Sequence, residues 1–341
     1  MEENDLRKEA SLEAWKDLYE LTKELETLEP WNYLRDTDLI SITLKDANEP
    51  VFCSIMGNGT GFRGIAVYEG IAGYGDYDMV ATVDNSDLPV DYVMYEQSCL
   101  MVYWGSMEEV SPEQKKIIDA LNLRFHDIES WIYFLSYKTR YQPYLPDERE
   151  VLLLIETYKN LIMAVRAVME QKIKVDFDQG ECIYRKYNKN GDVWNMFAGP
   201  LPNITKEFPA VELDDDALRS KLKKQPILDL EVSLDFCYTN TVVNDEAFDR
   251  PVHPLLFLAV DDKKHEIIAA EILSPNESEI DMALGFFVGF TEQYGRIRKI
   301  KARNPWVFGA ISELCEDCGV ELEQNALEEI DQIEKELLES L

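Results

Sequence analysis

The amino-acid sequence predicts an α+β fold in two parts, and three observations support this. Short apolar or alternating runs bounded by glycine or polar turns indicate strands, and segments with apolar residues at helical spacing lie between them. The 341 residues correspond to about two domains of ordinary size. A stretch rich in proline and charge interrupts the pattern. We therefore predict an N-terminal mixed α+β domain with antiparallel strands over residues 1–198, a linker over 199–226, and a C-terminal α/β domain with a mixed sheet over 227–341.

The N-terminal part begins with an amphipathic helix over residues 11–28. Ser11 is suited to cap this helix, and Pro30 ends it because a proline disfavours helix in the residue before it. Further strands are predicted over 39–44, 51–56, 64–68, 98–104, 182–187 and 193–197, and helices over 111–121 and 147–171. Asn190-Gly191 tolerates positive φ, so the last two strands form a hairpin.

The C-terminal part changes character, because apolar strands now alternate with longer helices. Strands are predicted over 228–237, 255–260, 266–273, 297–302 and 320–323, and helices over 214–223, 279–294, 306–318 and 327–341. Gly319 is suited to end the helix before it. The final helix is acidic and amphipathic, and the sequence leaves open what its apolar face contacts.

Acidic residues outnumber basic residues by 66 to 34, which gives a formal net charge of −32. Such a charge repels phosphate, so we expect no direct binding to nucleic acid or to an anionic membrane. The N-terminus is charged and lacks an apolar stretch typical of a signal peptide, so we expect a cytoplasmic protein with six reduced cysteines. A protein partner with a basic surface fits this charge. The oligomeric state stays open.

Residues 59–64 spell GTGFRG, the pattern of a dinucleotide-binding turn. That turn requires a strand before it and a helix after it, because the helix N-terminus binds the pyrophosphate. Here a predicted strand follows the motif, so we interpret it as a glycine-rich hairpin loop.

Cys315 and Cys318 form a CxxC motif at the predicted C-terminal end of a helix. A redox pair needs a helix N-terminus, where the dipole lowers the thiol pKa, and zinc needs two further ligands. The three histidines, His126, His253 and His265, are scattered along the chain. We therefore predict no cofactor and no metal.

Asp261 and Asp262 end a strongly apolar strand. Carboxylates in this position can hold Mg²⁺ for phosphoryl transfer. The alternative is a charged turn, formed with the two lysines that follow, between two strands of a hairpin. We favour the turn.

Several stretches resemble a family of uncharacterised bacterial two-domain proteins. They are WKDLY at 15–19, LEPW at 28–31, DTD at 36–38, MG at 56–57, GIAVYEG at 64–70, and the aromatic pattern from Arg124 to Pro143 that precedes Glu150. The family has a Pro-Gly pair before this tyrosine, Tyr141, where Thr139-Arg140 stands here, which implies a turn of different geometry. The resemblance continues from Pro254 through a second domain and implies no activity.

The order of elements in this second domain is also similar to a ribonuclease H-like fold. The resemblance implies carboxylates at the end of the first strand, after the fourth strand and on a later helix. Asp261 or Asp262 matches the first place, Asn304 the second, and Glu313 or Glu316 the third. A neutral amide removes one carboxylate of a metal-binding pair, so a version without catalysis is expected.

We therefore predict a non-enzymatic interaction or regulatory protein with an acidic surface, which includes the idea of an acidic mimic of nucleic acid. The alternative is a metal-dependent hydrolase or nuclease-like activity in a degenerate ribonuclease H-like domain, with Asp261, Asp262 and Glu313 as its candidate residues. A third possibility is a small-ligand pocket between the N-terminal sheet and the helix over 147–171.

Overall fold

The computed structural model describes residues 7–59, 61–125, 130–203, 211, 214–239 and 241–340. Its helices are α1 Leu12–Leu28, α2 Gly70–Ala81, α3 Val90–Glu96, α4 Pro112–Ala120, α5 Glu148–Met169, α6 Asp216–Lys223, α7 Glu279–Gln293, α8 Pro305–Cys318 and α9 Glu328–Ser340. Its strands are β1 Ile40–Thr43, β2 Val51–Met56, β3 Arg63–Glu69, β4 Cys99–Gly105, β5 Trp131–Tyr137, β6 Glu181–Asn188, β7 Val193–Pro200, β8 Glu231–Tyr238, β9 Leu255–Asp261, β10 Glu266–Leu273, β11 Lys299–Ala302 and β12 Glu321–Glu323. The predicted α+β class with mixed sheets is confirmed.

The described chain forms two compact units that interleave along the sequence. The first lies within residues 1–81, 97–138 and 143–204, and the second within 82–96, 139–142 and 205–341. The boundaries 1–198, 199–226 and 227–341 stay a prediction, and part of the predicted linker lies outside the described residues.

The first unit contains a seven-stranded sheet in the order β5-β4-β3-β2-β1-β6-β7. Neighbouring strands are antiparallel except for β1 and β6, which are parallel. Ser11 caps α1 as predicted, and Asp147 and Glu150 form a capping box at the start of α5. The side of α5 that belongs to the core is filled by Val151, Leu154, Tyr158, Leu161 and Val165, all fully buried. Side chains therefore occupy the place where a ligand pocket was considered.

Two helices, α2 and α3, follow from no pattern that the sequence analysis recognised. Three of the twelve residues of α2 are glycines, and the helix shows no amphipathic spacing. Gly73 is needed because a Cβ there would lie 3.0 Å from the Tyr68 carbonyl carbon. Close packing of α2 onto β3 thus outweighs its poor helix propensity.

The second unit contains a five-stranded sheet in the order β10-β9-β8-β11-β12. The pairs β8–β9 and β9–β10 are antiparallel, whereas β8–β11 and β11–β12 are parallel. Leu327 and Ile330 of the C-terminal segment pack in one cluster with sheet residues Cys237, Leu256, Leu258 and Val260. The acidic final helix therefore buries its apolar face against its own unit. In the described part of the chain, every helix is too short or too polar to span a bilayer.

Candidate functional site

Asp261 and Asp262 lie where β9 turns into β10. Asp261 Oδ1 accepts hydrogen bonds from the backbone N–H groups of Lys263 (2.9 Å) and Lys264 (3.1 Å). Asp262 accepts a hydrogen bond from the Ser233 hydroxyl at 2.6 Å and lies 2.9 Å from the Lys301 ammonium. Asp261 therefore belongs to the charged turn of a hairpin, as the sequence favoured, whereas the partners of Asp262 lie on the strands β8 and β11.

The other candidate residues belong to α8: Asn304 precedes this helix, and Glu313 and Glu316 lie on it. Asn304 caps this helix by accepting hydrogen bonds from the backbone of Trp306 and Val307. Glu313 forms an ion pair with Arg219, and Glu316 is exposed. Within the described residues, Asp261, Asp262 and Glu313 do not form a group of possible metal ligands.

A different set of carboxylates does come together. Asp235 of β8 and Asp331 and Glu334 of α9 place one ligand oxygen each within 4.8 Å of the others. Asp331 and Glu334 are three residues apart, so one face of the helix carries both. Asp235 and Glu334 are buried, and Asp331 is exposed.

Arg303 supplies the positive charge that these carboxylates require. Its guanidinium forms an ion pair with Asp235, lies 2.6 Å from Asp331 Oδ1, and lies 3.4 Å from Glu334 Oε2. Arg303 is only 4% exposed, so water screens these charges little. A divalent cation at the same oxygens would face a fixed guanidinium. The arrangement is therefore a buried ion-pair cluster, and its three carboxylates can hold a metal only after Arg303 is removed.

Burial sets the protonation of this cluster. Loss of hydration raises the pKa of Asp235, against the opposing effect of Arg303. Burial and the nearby charge of Asp235 raise the pKa of Glu334 to about 9. The Glu334 carboxyl therefore keeps its proton to a higher pH than an ordinary glutamic acid does.

Asp235 lies in the strand predicted over 228–237, but it was not among the candidate residues because the resemblance to a ribonuclease H-like fold was applied from Pro254 onward. The structure has β8 as the first strand of this sheet, and Asp235 lies among its buried apolar residues. A carboxylate inside an apolar strand is unusual, because burying an unpaired charge is costly. This signal was present in the sequence.

A second buried cluster surrounds Arg140. Its guanidinium lies 3.6 Å from Glu96 and 3.5 Å from Glu279, and Tyr92 donates a hydrogen bond of 3.0 Å to Glu279. Burial raises the pKa of Glu279 to about 8. The φ of Arg140 is +67°, a conformation that glycine favours. The ion pairs of its side chain thus accompany a left-handed backbone conformation that residues other than glycine adopt rarely.

An open groove runs between α7 and the edge strand β10. It consists of two adjoining cavities of about 440 and 560 Å³ that share Gly285 and Phe286. Its apolar floor continues along α7, where the Phe286 and Phe290 rings are 5.6 Å apart and the Phe290 and Tyr294 rings 5.1 Å apart. Tyr294 is 57% exposed and Phe286 and Phe290 are half-buried, so the row of rings is accessible at its Tyr294 end and partly accessible along the rest.

The charges around the groove have one sign. The larger of the two cavities, of about 560 Å³, is lined by Glu271, Glu277 and Asp281, and all three are exposed. Among the described residues that line either cavity, none is a lysine or an arginine. The groove thus combines an apolar floor with a carboxylate rim.

A family model described as Domain of unknown function (DUF7309) matches residues 15–185, slightly more than half of the chain. The chain belongs to this family. A second model, described as Domain of unknown function (DUF6930), matches residues 218–338. No curated protein and no solved structure matches the chain. The predicted membership of an uncharacterised two-domain family is confirmed. The ribonuclease H-like resemblance stays a prediction.

In the part that matches DUF7309, the GxGxxG motif joins the antiparallel strands β2 and β3. The motif is thus the hairpin loop that the sequence analysis predicted, although Thr60 lies outside the described residues. It opens no helix, so it provides no helix N-terminus for a pyrophosphate.

In the part that matches DUF6930, Cys315 and Cys318 are buried thiols at the C-terminal end of α8. Burial raises the pKa of Cys315 to about 12, which disfavours the reactive thiolate. His253 is buried, and the centres of its ring and the Tyr95 ring are 4.0 Å apart. Its Nε2 forms a hydrogen bond with the Thr239 carbonyl. His126 lies outside the described residues.

Proposed function

We propose that this is a non-catalytic cytoplasmic binding protein that docks a segment of a partner protein in the groove between α7 and β10. The observation that carries this proposal is the accessible apolar floor of Phe286, Phe290 and Tyr294 beside a rim of carboxylates. Exposed apolar surface with a polar rim is typical of interaction sites.

The chemistry of the groove defines its occupant. Glu271, Glu277 and Asp281 attract lysine or arginine side chains, and the floor accepts leucine, isoleucine or an aromatic ring. The net charge of −32 strengthens the attraction for a basic partner and repels nucleic acid. The partner is therefore an amphipathic segment with basic and apolar side chains, and salt weakens its association.

Two glycines on α7 support the same conclusion. A Cβ at Gly285 or Gly289 would meet no atom within 4 Å, so packing within the chain does not require glycine there. Glycine in a helix interior costs about 1 kcal/mol relative to alanine. Both glycines line the floor of the groove, so the groove accounts for glycine at these positions despite its cost to the helix.

Synthetic peptides test this proposal. We would measure binding by fluorescence anisotropy for a peptide of alternating lysine and leucine, and for a peptide of equal charge with serine in place of leucine. We expect the leucine peptide to bind at least about tenfold more tightly. Equal affinities would contradict the proposal, because they would indicate attraction by charge alone.

Matched variants locate the binding. Phe290→Asp places a charge on the floor, and Gly289→Leu fills the groove without one. Either change should abolish the preference for the leucine peptide. Met163→Asp, at an exposed apolar residue of α5, should leave the preference unchanged. A preference that survives both groove changes in folded protein would overturn the assignment.

A further inference from the structure

The loop that carries the GxGxxG motif lines a separate cavity in the first unit. This cavity has a volume of about 690 Å³, within the range of small-molecule sites. Gly57, Gly61 and Phe62 of the loop form part of its wall, and residues of α1, β3, β4, β5 and the segment after β4, which contains Glu109, form other parts. The cavity lies wholly within one compact unit.

Aromatic rings build one side of the cavity. Tyr103 stacks on Tyr133 with ring centroids 5.2 Å apart and an angle of 24° between the planes. The centres of the Phe62 and Tyr103 rings are 5.8 Å apart, and Phe62 is 50% exposed. A half-exposed phenylalanine held against a stacked pair is a platform on which an apolar side chain of a ligand can lie.

Two opposite charges line the same cavity. Glu109 is held by the backbone N–H of Ser106 at 2.6 Å and by the Tyr133 hydroxyl at 3.2 Å. These hydrogen bonds, chiefly that of Ser106, lower the pKa of Glu109, so its carboxylate is ionised at neutral pH. Arg63 is exposed, and its guanidinium lies 5.0 Å from the centre of the Trp31 ring.

We propose that this cavity binds a free α-amino acid with an aromatic or large apolar side chain. Glu109 receives the ammonium group, Arg63 receives the carboxylate, and Phe62 and Tyr103 contact the side chain. A phosphorylated ligand fits poorly, because Glu26 and Glu109 both line the cavity. This proposal is independent of the groove in the second unit.

Three probes of nearly equal size separate the parts of this assignment. L-Phenylalanine carries both charges, phenethylamine lacks the carboxylate, and 3-phenylpropanoate lacks the ammonium group. By isothermal titration calorimetry we expect L-phenylalanine to bind at least about tenfold more tightly than either analogue. Absence of saturable binding of L-phenylalanine up to about 10 mM would overturn the proposal.

Conservative variants then assign each charge. Arg63→Met keeps the stem over Trp31 and should make L-phenylalanine and phenethylamine bind equally. Glu109→Gln should make L-phenylalanine and 3-phenylpropanoate bind equally. Glu108→Gln, at the exposed neighbouring residue, should change neither comparison. If the Arg63 and Glu109 variants stay folded by circular dichroism and keep the full preference for L-phenylalanine, the site lies elsewhere and the proposal fails.

Discussion

Arg303 forms an ion pair with Asp235, the residue beside it in the neighbouring parallel strand. The register pairs Leu234 of β8 with Ala302, the last residue of β11. Asp235 and Arg303 each come one residue later, so the carboxylate and the guanidinium lie side by side. The ribonuclease H-like resemblance implied a domain without catalysis, with Asp261 or Asp262 and the neutral Asn304 at the places of metal-binding carboxylates. The carboxylates that do come together lie around Asp235, and an arginine neutralises them, which favours a structural role.

Replacing this arginine should therefore destabilise the protein strongly. Arg303→Met leaves the buried Asp235 carboxylate without its counterion, and we expect the free energy of unfolding to fall by about 3–5 kcal/mol. Urea denaturation followed by circular dichroism measures this change. Arg298→Met is the matched control, because Arg298 is 42% exposed and its surface ion pairs contribute at most about 1 kcal/mol. Equal losses in the free energy of unfolding for both variants would show that the buried cluster contributes no more to stability than surface ion pairs do.

The same substitution should create a site for a divalent cation. In Arg303→Met, Mn²⁺ can bind the oxygens of Asp235, Asp331 and Glu334, so we expect a saturable rise in the melting temperature. The wild type should show only the weak shift of an acidic surface. Adding Asp235→Asn should remove the rise, and adding Asp261→Asn should not. A saturable wild-type shift that Asp261→Asn abolishes would instead support a metal-dependent hydrolase at Asp261, Asp262 and Glu313.

The raised pKa of Glu334 predicts how stability changes with pH. The folded state keeps a proton on this carboxyl up to about pH 9, whereas an ordinary glutamic acid loses it near pH 4.5. The folded state therefore binds more protons between these values, and this group's contribution is complete below pH 4.5 and lost as pH rises towards 9. Glu334→Gln should reduce the fall in stability over this window, by at most about 1.4 kcal/mol per pH unit. Urea titrations at several pH values measure it, and an unchanged pH profile would contradict the assignment.

Glycine substitutions on α7 separate stability from binding. Gly289→Ala should raise the free energy of unfolding by about 1 kcal/mol, because the added Cβ meets open space in a helix. It should also weaken binding of the lysine–leucine peptide, since the methyl group enters the groove. Gly295→Ala is the contrasting control. The φ of Gly295 is +125°, and a Cβ there would lie 2.7 Å from the Pro226 carbonyl, so this change should destabilise. Destabilisation by Gly289→Ala would show that the glycine serves packing.

Sequence patterns predict most helices and strands here because each buries one regular face. The capped α1 and α5 and the hairpin around Asn190-Gly191 show this. The same sequence patterns do not predict the two sites of the second unit. The Arg303 cluster depends on strand register and on where α9 packs, which no local pattern contains. The groove depends on the spacing between α7 and β10, and periodicity alone assigns Phe286 and Phe290 to a core.

The interleaving of the two units leads to a last prediction about folding. A fragment of residues 227–341 lacks Arg140 and Tyr92, so Glu279 loses its ion pair and its hydroxyl donor. The fragment also lacks the Tyr92 and Tyr95 rings that pack against Tyr238 of β8, so apolar surface of the sheet is left exposed to water. We expect the fragment to lack a cooperative urea transition and the full chain to show one. In the full chain, Arg140→Met should lower the free energy of unfolding by about 3–5 kcal/mol. A fragment that unfolds cooperatively would instead support an independent C-terminal domain with the boundaries predicted from the sequence.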